Sequence, residues 1–146
     1  MASSFRCRLV TPAASVFDES VAYASVPAWD GLFGVLPGRA PIVAKLGLGE
    51  LQLRFPDKGA AKGGARSFLV EDGFVQMVDN KLTILASRAI PTETLNAAEA
   101  KTELAAAESK RPTGTGEALT RSQAVIEADK ARARLKLRLA SGNRAI

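Results

Sequence analysis

The chain has 146 residues, of which 47% are hydrophobic and 24% charged, and its formal net charge is +5 at pH 7. This length suits one ordinary domain, or a small domain with an appendage. Histidine chemistry and thiolate cages are excluded, because there is no histidine and Cys7 is the one cysteine. No apolar run approaches the roughly 20 residues that span a bilayer, and a signal peptide is not expected. A binding or structural role is therefore favoured.

The amino-acid composition changes near Ile90-Pro91. All eight aromatic residues precede this point, and half of the alanines follow it. Aromatic and β-branched residues suit a sheet, whereas alanine mixed with Leu, Lys, Arg and Glu suits helices. The sequence therefore predicts an all-β domain over residues 1–91 and a helical domain over residues 92–146.

Short alternating segments in residues 1–91 predict strands. The alternation over Phe5–Leu9 points Cys7 inward, where it is expected to be a small buried hydrophobe and not a reactive thiol. Further strands are predicted at 21–26, 46–55, 68–70, 74–78 and 82–85, with turns at 71–73 and 79–81. Closely spaced strands without intervening helices indicate an antiparallel sandwich or barrel.

A glycine-rich segment at 56–66 is predicted to be the tip of a hairpin. Gly59 and Gly64 have the spacing that opens a phosphate-binding loop, but Ala65-Arg66 follows in place of Lys-Ser/Thr. No helical pattern follows either. The segment is therefore expected to be a plain loop without a phosphate site.

Two helices are predicted after the composition change. The first covers about 93–110, with Thr92 or Thr94 as its N-cap, and the second covers about 117–140. The short breaker between them predicts an antiparallel hairpin.

The first predicted helix is poor in large side chains. Leu95 and Leu104 are its only large apolar anchors, and the rest of its apolar face is alanine. Burying one leucine contributes roughly 1.5–3 kcal/mol, which does not offset the entropy of ordering the hairpin. The hairpin is therefore expected to need the sandwich or a partner.

The second predicted helix carries a basic run of five cations on alternate residues: Lys130, Arg132, Arg134, Lys136 and Arg138. At a period of two, the run would form a strand with one basic face. The surrounding helix formers favour a helix, in which Lys130, Arg134 and Arg138 stack at intervals of four. Such a helix is either a solvated face or a docking surface for an acidic protein, nucleic acid or anionic lipid. No aromatic residues interleave with the cations to stack on bases.

Two motifs resemble the signatures of a known family, the ε subunit of bacterial F-type ATP synthases, which is equivalent to the mitochondrial δ subunit. Trp29–Ile42, with the sequence WDGLFGVLPGRAPI, resembles the family segment G-x-F/L-G-x-x-P-G-H/R-A-P-L. Phe68–Ala86 is similar to the second signature, G-G-F-x-x-V-x-x-N-x-V-T-I-L-A. Ala89-Ile90 then falls where the family passes from its sandwich to its helices.

The resemblance implies a β-sandwich followed by a two-helix hairpin, in a non-catalytic rotor subunit without a cofactor or metal. The sandwich would contact the γ subunit and the c-ring through Leu32, Arg39, Ala40 and Pro41, although relatives often carry a polar residue at the position of Leu32. In bacterial relatives the hairpin can extend along γ and meet an acidic loop of the catalytic β subunit, which brakes ATP hydrolysis. The five cations of the basic run are the candidates for that contact. The complex would be driven by protons or sodium ions. This subunit would lie at the cytoplasmic face of the bacterial inner membrane.

A nucleotide-binding motif of some bacterial relatives, I/L-D-x-x-R-A, is altered in this chain. The matching segment is Leu95–Ala100, in which Asn96 replaces the aspartate and Glu99 replaces the arginine. Because Glu99 would place a carboxylate against an anion, we expect no ATP binding in that mode.

The alternative to a rotor subunit is a basic nucleic-acid-binding β-sandwich module. The nearly neutral charge of residues 1–91, and the expectation that their aromatic residues are not exposed, argue against it. An enzyme is least favoured, because no nucleophile–base pair or ligand cluster is visible.

Overall fold

The computed structural model describes residues 4–57 and 63–141. The chain divides into two compact units between Pro91 and Thr92. The first unit contains the strands β1 (Phe5–Val10), β2 (Ser15–Val21), β3 (Tyr23–Ala28), β4 (Gly31–Val35), β5 (Ile42–Leu46), β6 (Gly49–Arg54), β7 (Ala65–Val78) and β8 (Lys81–Pro91). The second contains a 3-10 turn (Thr92–Thr94) and the helices α1 (Ala97–Ser109) and α2 (Glu117–Ala140). The prediction of a β-sandwich followed by two helices is confirmed.

The eight strands form one sheet that folds into the sandwich. Its order is β2-β1-β8-β7-β5-β3-β4, and β6 pairs with both β3 and β7. Strands β1 and β8 run parallel, whereas the other paired strands are antiparallel. The sandwich encloses a core whose largest fully buried side chains include Phe5, Leu9, Leu46, Leu51 and Phe68. Cys7 is buried in this core, as its strand pattern predicts.

Strands β2, β4 and β5 are absent from the sequence prediction. The long strand predicted at 46–55 is also interrupted at Gly47, whose backbone N–H donates to the carbonyl oxygen of Pro27 at 2.9 Å. A Cβ atom at Gly47 would lie 2.8 Å from the carbonyl oxygen of Ala28. The interruption therefore comes from a close backbone approach, which alternation alone does not reveal. In the glycine-rich loop, residues 58–62, including Gly59, lie outside the described residues.

The turn predicted at 71–73 is wrong, because β7 continues through it. Glu71 pairs with Arg88 and Gly73 pairs with Ala86 in an unchanged register. Asp72 and Gly73 have φ values of 51° and 138°, so the strand bends here without reversing. The exchange of β6 for β5 as the partner of β7 occurs at this bend.

The helix α1 begins at Ala97, three residues after the later of the two predicted N-caps. Thr92 and Thr94 lie in the preceding 3-10 turn instead. Asn96 is the N-cap, because its side-chain oxygen accepts hydrogen bonds from the backbone N–H groups of Ala98 and Glu99. The bounds of α2 agree with the predicted second helix. Among the described residues, neither helix is both long and apolar enough to cross a bilayer.

Candidate protein-interaction surfaces

The chain between β4 and β5 forms an exposed turn, which we call the presenting loop (residues 36–41). The backbone N–H of Arg39 donates to the carbonyl oxygen of Leu36 at 3.2 Å. Gly38 has a φ of 79°, in the left-handed region that favours glycine. Arg39, Ala40 and Pro41 follow as exposed residues. The structure thus brings three of the four implicated sandwich residues together on one loop.

Leu32, the fourth implicated residue, lies in β4 opposite Pro27, and 71% of its surface is exposed. The guanidinium of Arg39 lies 5.8 Å from the ring centroid of Phe33. Because successive strand side chains point to opposite faces, Leu32 does not share the face occupied by the Arg39–Phe33 pair. The four implicated residues therefore belong to two separate surfaces.

A surface groove of about 380 Å³ runs beside the presenting loop. Its lining includes Tyr23 and Gly34, which come from β3 and β4. A Cβ atom at Gly34 would lie 2.8 Å from the hydroxyl oxygen of Tyr23, so the missing side chain makes room for the phenol ring. The guanidinium of Arg54 also packs near this ring, 5.5 Å from the Tyr23 ring centroid. Sequence analysis missed Tyr23, because strand pairing brings it to the loop.

A second exposed surface is apolar and lies across β5, β7 and β8. We call Val43, Phe74 and Leu85 the outer apolar face; they are 69%, 59% and 51% exposed. Phe74 pairs with Leu85 on one side and with Lys45 on the other. Large exposed apolar groups on neighbouring strands are typical of a protein-interaction surface.

Sequence analysis did not identify the outer apolar face. The sequence pattern could have revealed it, because Phe74 alternates with Val75 and Met77, which are buried. Phe74 therefore lies on the same face of the strand as the polar residue Gln76. The expectation that no aromatic residue is exposed is wrong, since Trp29 is 70% exposed and Phe74 is exposed as well.

Two ion pairs join the helices of the hairpin. Lys136 Nζ lies 2.9 Å from Glu103 Oε2, and Lys110 Nζ lies 3.0 Å from Asp129 Oδ2. The side chain of Lys136 is only 15% exposed. Both pairs show that α1 and α2 run antiparallel, because the residue numbers rise on one helix as they fall on the other.

Two further cations of the basic run are paired within α2. Lys130 Nζ lies 3.1 Å from Glu127 Oε1, and Arg132 Nη1 lies 3.0 Å from Asp129 Oδ1. The hydrogen bond from Lys110 is the main cause of the lowered pKa of Asp129; burial opposes it, and the hydrogen bond from Arg132 lowers the pKa further. Asp129 is therefore held in its charged form between two cations.

The remaining two cations, Arg134 and Arg138, are exposed. Over the described ranges 4–57 and 63–141, neither side chain forms an ion pair. They are four residues apart on α2, so they point to the same side of the helix. The basic run thus separates into three internally paired cations and two that are available to a partner.

The altered nucleotide motif lies at the start of α1. Asn96 Oδ1 accepts from the N–H groups of Ala98 at 2.8 Å and of Glu99 at 3.2 Å. The Glu99 side chain is exposed in the first turn of the helix. A carboxylate there interacts favourably with the positive end of the helix dipole but repels a phosphate. Both substituted residues therefore serve the helix itself.

The buried thiol of Cys7 is not a reactive group. Burial raises its pKa to about 12, because the thiolate would be poorly solvated in the sandwich core. Within the part of the chain that the structure describes, no group of three or more Cys, Asp or Glu residues could hold a metal ion.

A family model described as the β-sandwich domain of the ATP synthase delta/epsilon chain matches residues 4–92. This match covers more than half of the chain and all eight strands. The chain belongs to the ATP synthase delta/epsilon chain family. The recognition from two sequence motifs is therefore confirmed.

Relatives named ATP synthase epsilon chain occur in several bacteria. The one from Rhodopirellula baltica is 36% identical over 104 residues, which are 71% of this chain and 77% of that protein. The one from Leptospira interrogans serogroup Icterohaemorrhagiae is 32% identical over 111 residues, or 76% of this chain and 83% of that protein. These similarities extend beyond the sandwich into the helical unit.

Two solved structures share the fold of this family member. One is a chain of the Euglena gracilis mitochondrial ATP synthase, in a structure of OSCP, F1 and the c-ring. It has a TM-score of 0.71 and 20% identity, covering 92% of this chain and 83% of that one. The other belongs to the central stalk and c-ring of the Tetrahymena thermophila mitochondrial enzyme, with a TM-score of 0.66 and 15% identity over 92% and 95% of the two chains.

Proposed function

We propose that this chain is the non-catalytic ε subunit of the central stalk in a proton- or sodium-driven F-type ATP synthase. The observation that carries the proposal is the family match over the whole sandwich. The two structural neighbours add that the fold of both units occurs in ATP synthase assemblies with a central stalk and c-ring. In this role the subunit transmits c-ring rotation to the catalytic head through γ. Its place is at the cytoplasmic face of the bacterial inner membrane, held there through the complex.

The outer apolar face suits γ, the partner that stays bound through every turn of the rotor. A permanent interface buries more apolar surface than a transient one. Val43, Phe74 and Leu85 offer such a surface on three neighbouring strands. In this assignment γ covers the exposed aromatic side chain.

Two separate sandwich surfaces serve the remaining contacts with γ and the c-ring. The first is Leu32 on β4, and the second is the presenting loop with Arg39, Ala40 and Pro41. Leu32 offers an apolar contact, whereas Arg39 offers a fixed positive charge because its guanidinium packs over Phe33. The c-ring loops that this subunit fits therefore present both an apolar and a polar or acidic group.

The hairpin acts as a brake on ATP hydrolysis in this proposal. Arg134 and Arg138 dock on the acidic loop of the catalytic β subunit, because they are exposed and share one side of α2. Lys130 and Arg132 keep their partners within α2 when that helix moves. Lys136 becomes available only when its bridge to Glu103 on the other helix opens.

The brake is independent of nucleotide binding at the start of α1. Asn96 caps the helix, and Glu99 places a carboxylate where the motif of some relatives has an arginine. Family membership also favours a protein partner over nucleic acid for the exposed cations. The subunit therefore requires neither ATP nor another cofactor.

The assembly test is binding of the full-length subunit to purified γ. Substituting both Val43 and Phe74 by serine removes apolar contact area and is expected to weaken binding about tenfold or more. The matched control is Val125→Ser, because Val125 is 60% exposed but lies on α2. Equal binding by the double variant and the control would exclude the outer apolar face as the γ surface. Failure of the unmodified chain to bind γ would contradict the rotor role itself.

A further inference from the structure

The turn between β7 and β8 carries a side chain that reaches two distant parts of the chain. Asp79 and Asn80 are its two central residues, and their φ values are 50° and 58°. A two-residue hairpin turn with positive φ at both positions favours Asn, Asp and Gly. The backbone conformation thus explains a small polar residue at position 80 but not the bonds that its amide makes.

The amide of Asn80 bridges the presenting loop and the start of β1. Its Oδ1 accepts a hydrogen bond from the backbone N–H of Gly38 at 2.8 Å. Its Nδ2 donates to the carbonyl oxygen of Ser4 at 2.9 Å. The backbone carbonyl oxygen of Asn80 accepts a hydrogen bond from the backbone N–H of Arg6 at 3.2 Å. One half-buried residue therefore connects three segments that are remote in sequence.

The bond to Gly38 holds the presenting loop at its most unusual residue. Gly38 has a φ of 79°, and a Cβ atom there would meet nothing within 4 Å. Space therefore does not require glycine at position 38, but the backbone conformation does. Arg39 follows at once, so the orientation of the Gly38 peptide sets the direction in which the exposed Arg39–Pro41 segment leaves the turn.

We propose that Asn80 is the positioning residue of the presenting loop: its amide fixes the Gly38 peptide and thereby presents Arg39, Ala40 and Pro41 to the rotor partner. Asn80 acts through the loop and does not touch the partner. The functional half of this inference rests on the proposed function, in which the loop contacts γ or the c-ring. The structural half concerns the loop alone and can be measured on the isolated subunit.

Asparagine meets requirements of this position that aspartate, glycine and glutamine do not all meet. The carboxylate of aspartate accepts from Gly38 but cannot donate to Ser4, whereas glycine keeps the turn and makes neither side-chain bond. Glutamine has the same amide on a longer stem and is less suited to positive φ. The substitutions Asn80→Asp and Asn80→Gly therefore separate the two hydrogen bonds.

The structural test is amide hydrogen exchange of Gly38, measured by NMR in the full-length subunit. We expect Asn80→Gly to speed this exchange about tenfold or more, whereas Asn80→Asp keeps the amide protected. The matched control is Asp79→Gly, which frees the same turn without removing a bond to the loop. Amides of Val75 and Ile84 report the global stability of the sandwich. Equal Gly38 exchange in Asn80→Gly and Asp79→Gly would overturn the positioning role.

The functional test uses the same variants in the assembled synthase. Asn80→Gly is expected to lower ATP-driven ion pumping severalfold relative to Asp79→Gly, at equal subunit content. If Asn80→Gly shows rapid Gly38 exchange but unchanged pumping, the positioning role of Asn80 is supported. The role of the presenting loop as a rotor contact is then contradicted. Should Asn80→Gly fail to fold, Arg39→Ala in the assembled synthase tests the contact, and unchanged pumping there contradicts it.

Discussion

The two units of the chain are stabilised in different ways. The sandwich buries large side chains such as Phe5, Leu9 and Phe68, and its strands are paired along much of their length. In α1 and α2, half of the buried residues are alanine: Ala100, Ala107 and Ala133 accompany Ile126, Leu135 and Leu139. Ion pairs near the surface supplement this limited apolar contact. This difference predicts that the sandwich is the more stable unit and that the hairpin opens at a smaller cost in free energy.

The largest expected effect is the loss of a core side chain from the sandwich. Phe68→Ala removes a fully buried ring that packs 5.9 Å from the ring of Phe17. We expect the free energy of unfolding to fall by about 3–5 kcal/mol, measured by urea denaturation. Phe74→Ala is the matched control, because the same ring is removed from the exposed outer face. A similar loss in both variants would contradict the assigned core.

A smaller effect is expected at the cap of α1. Asn96→Ala removes the acceptor for the N–H groups of Ala98 and Glu99 and should destabilise the hairpin by about 1 kcal/mol. The loss is measured from the helical circular-dichroism signal and hairpin resonances during denaturation. Asn96→Ser keeps a capping oxygen and should largely restore stability. No difference between the alanine and serine variants would exclude the cap.

The bridges between the helices should contribute less. Lys136→Gln removes the inter-helix pair with Glu103 and is expected to cost about 0.2–1 kcal/mol at low salt. Opening of the hairpin, followed by the distance between probes on α1 and α2, should increase. Arg121→Gln is the control, because it breaks only an exposed pair with Glu117 within α2. The difference in hairpin stability between the two variants should shrink as salt is added, because salt screens both ion pairs.

The smallest effect is a dependence of hairpin stability on pH. The pKa of Asp129 lies below its ordinary value of 3.8 in the folded hairpin. The charged Asp129 carboxylate therefore stabilises the hairpin fully above pH 3.8. This stabilisation is lost as the pH falls through the lowered pKa of the folded state. In Asp129→Asn, the melting temperature of the helices should lose this dependence on pH below pH 3.8. An identical pH profile in both proteins would show that Asp129 is not coupled to folding.

Much of the fold could be predicted from local pattern. The composition change near Pro91, the alternation around Cys7 and the long run of helix formers in α2 each depend on neighbouring residues. The bend at Gly73 could not be predicted in this way. It depends on a close approach to β8, where a Cβ atom would lie 1.7 Å from the carbonyl oxygen of Leu85.

The candidate surfaces were less accessible to sequence analysis. The presenting loop was found through its motif, but the separation of Leu32 from Arg39 follows from strand parity in the folded sheet. Likewise, five cations of the basic run look equivalent in the sequence. Lys130 and Arg132 pair with nearby residues of α2, but the partner of Lys136 is Glu103, which lies on the other helix and meets Lys136 only after the hairpin forms.

The most direct test of the central claim is ATP hydrolysis by the soluble motor assembled with variants of this subunit. Residues 1–91 alone, and the full chain with Arg134→Glu and Arg138→Glu, should each raise the rate severalfold over the unmodified chain. The charge-matched control is Lys101→Glu with Arg121→Glu, which should leave the rate unchanged. Equal hydrolysis by all of these assemblies would contradict a braking hairpin and leave only the coupling role of the sandwich.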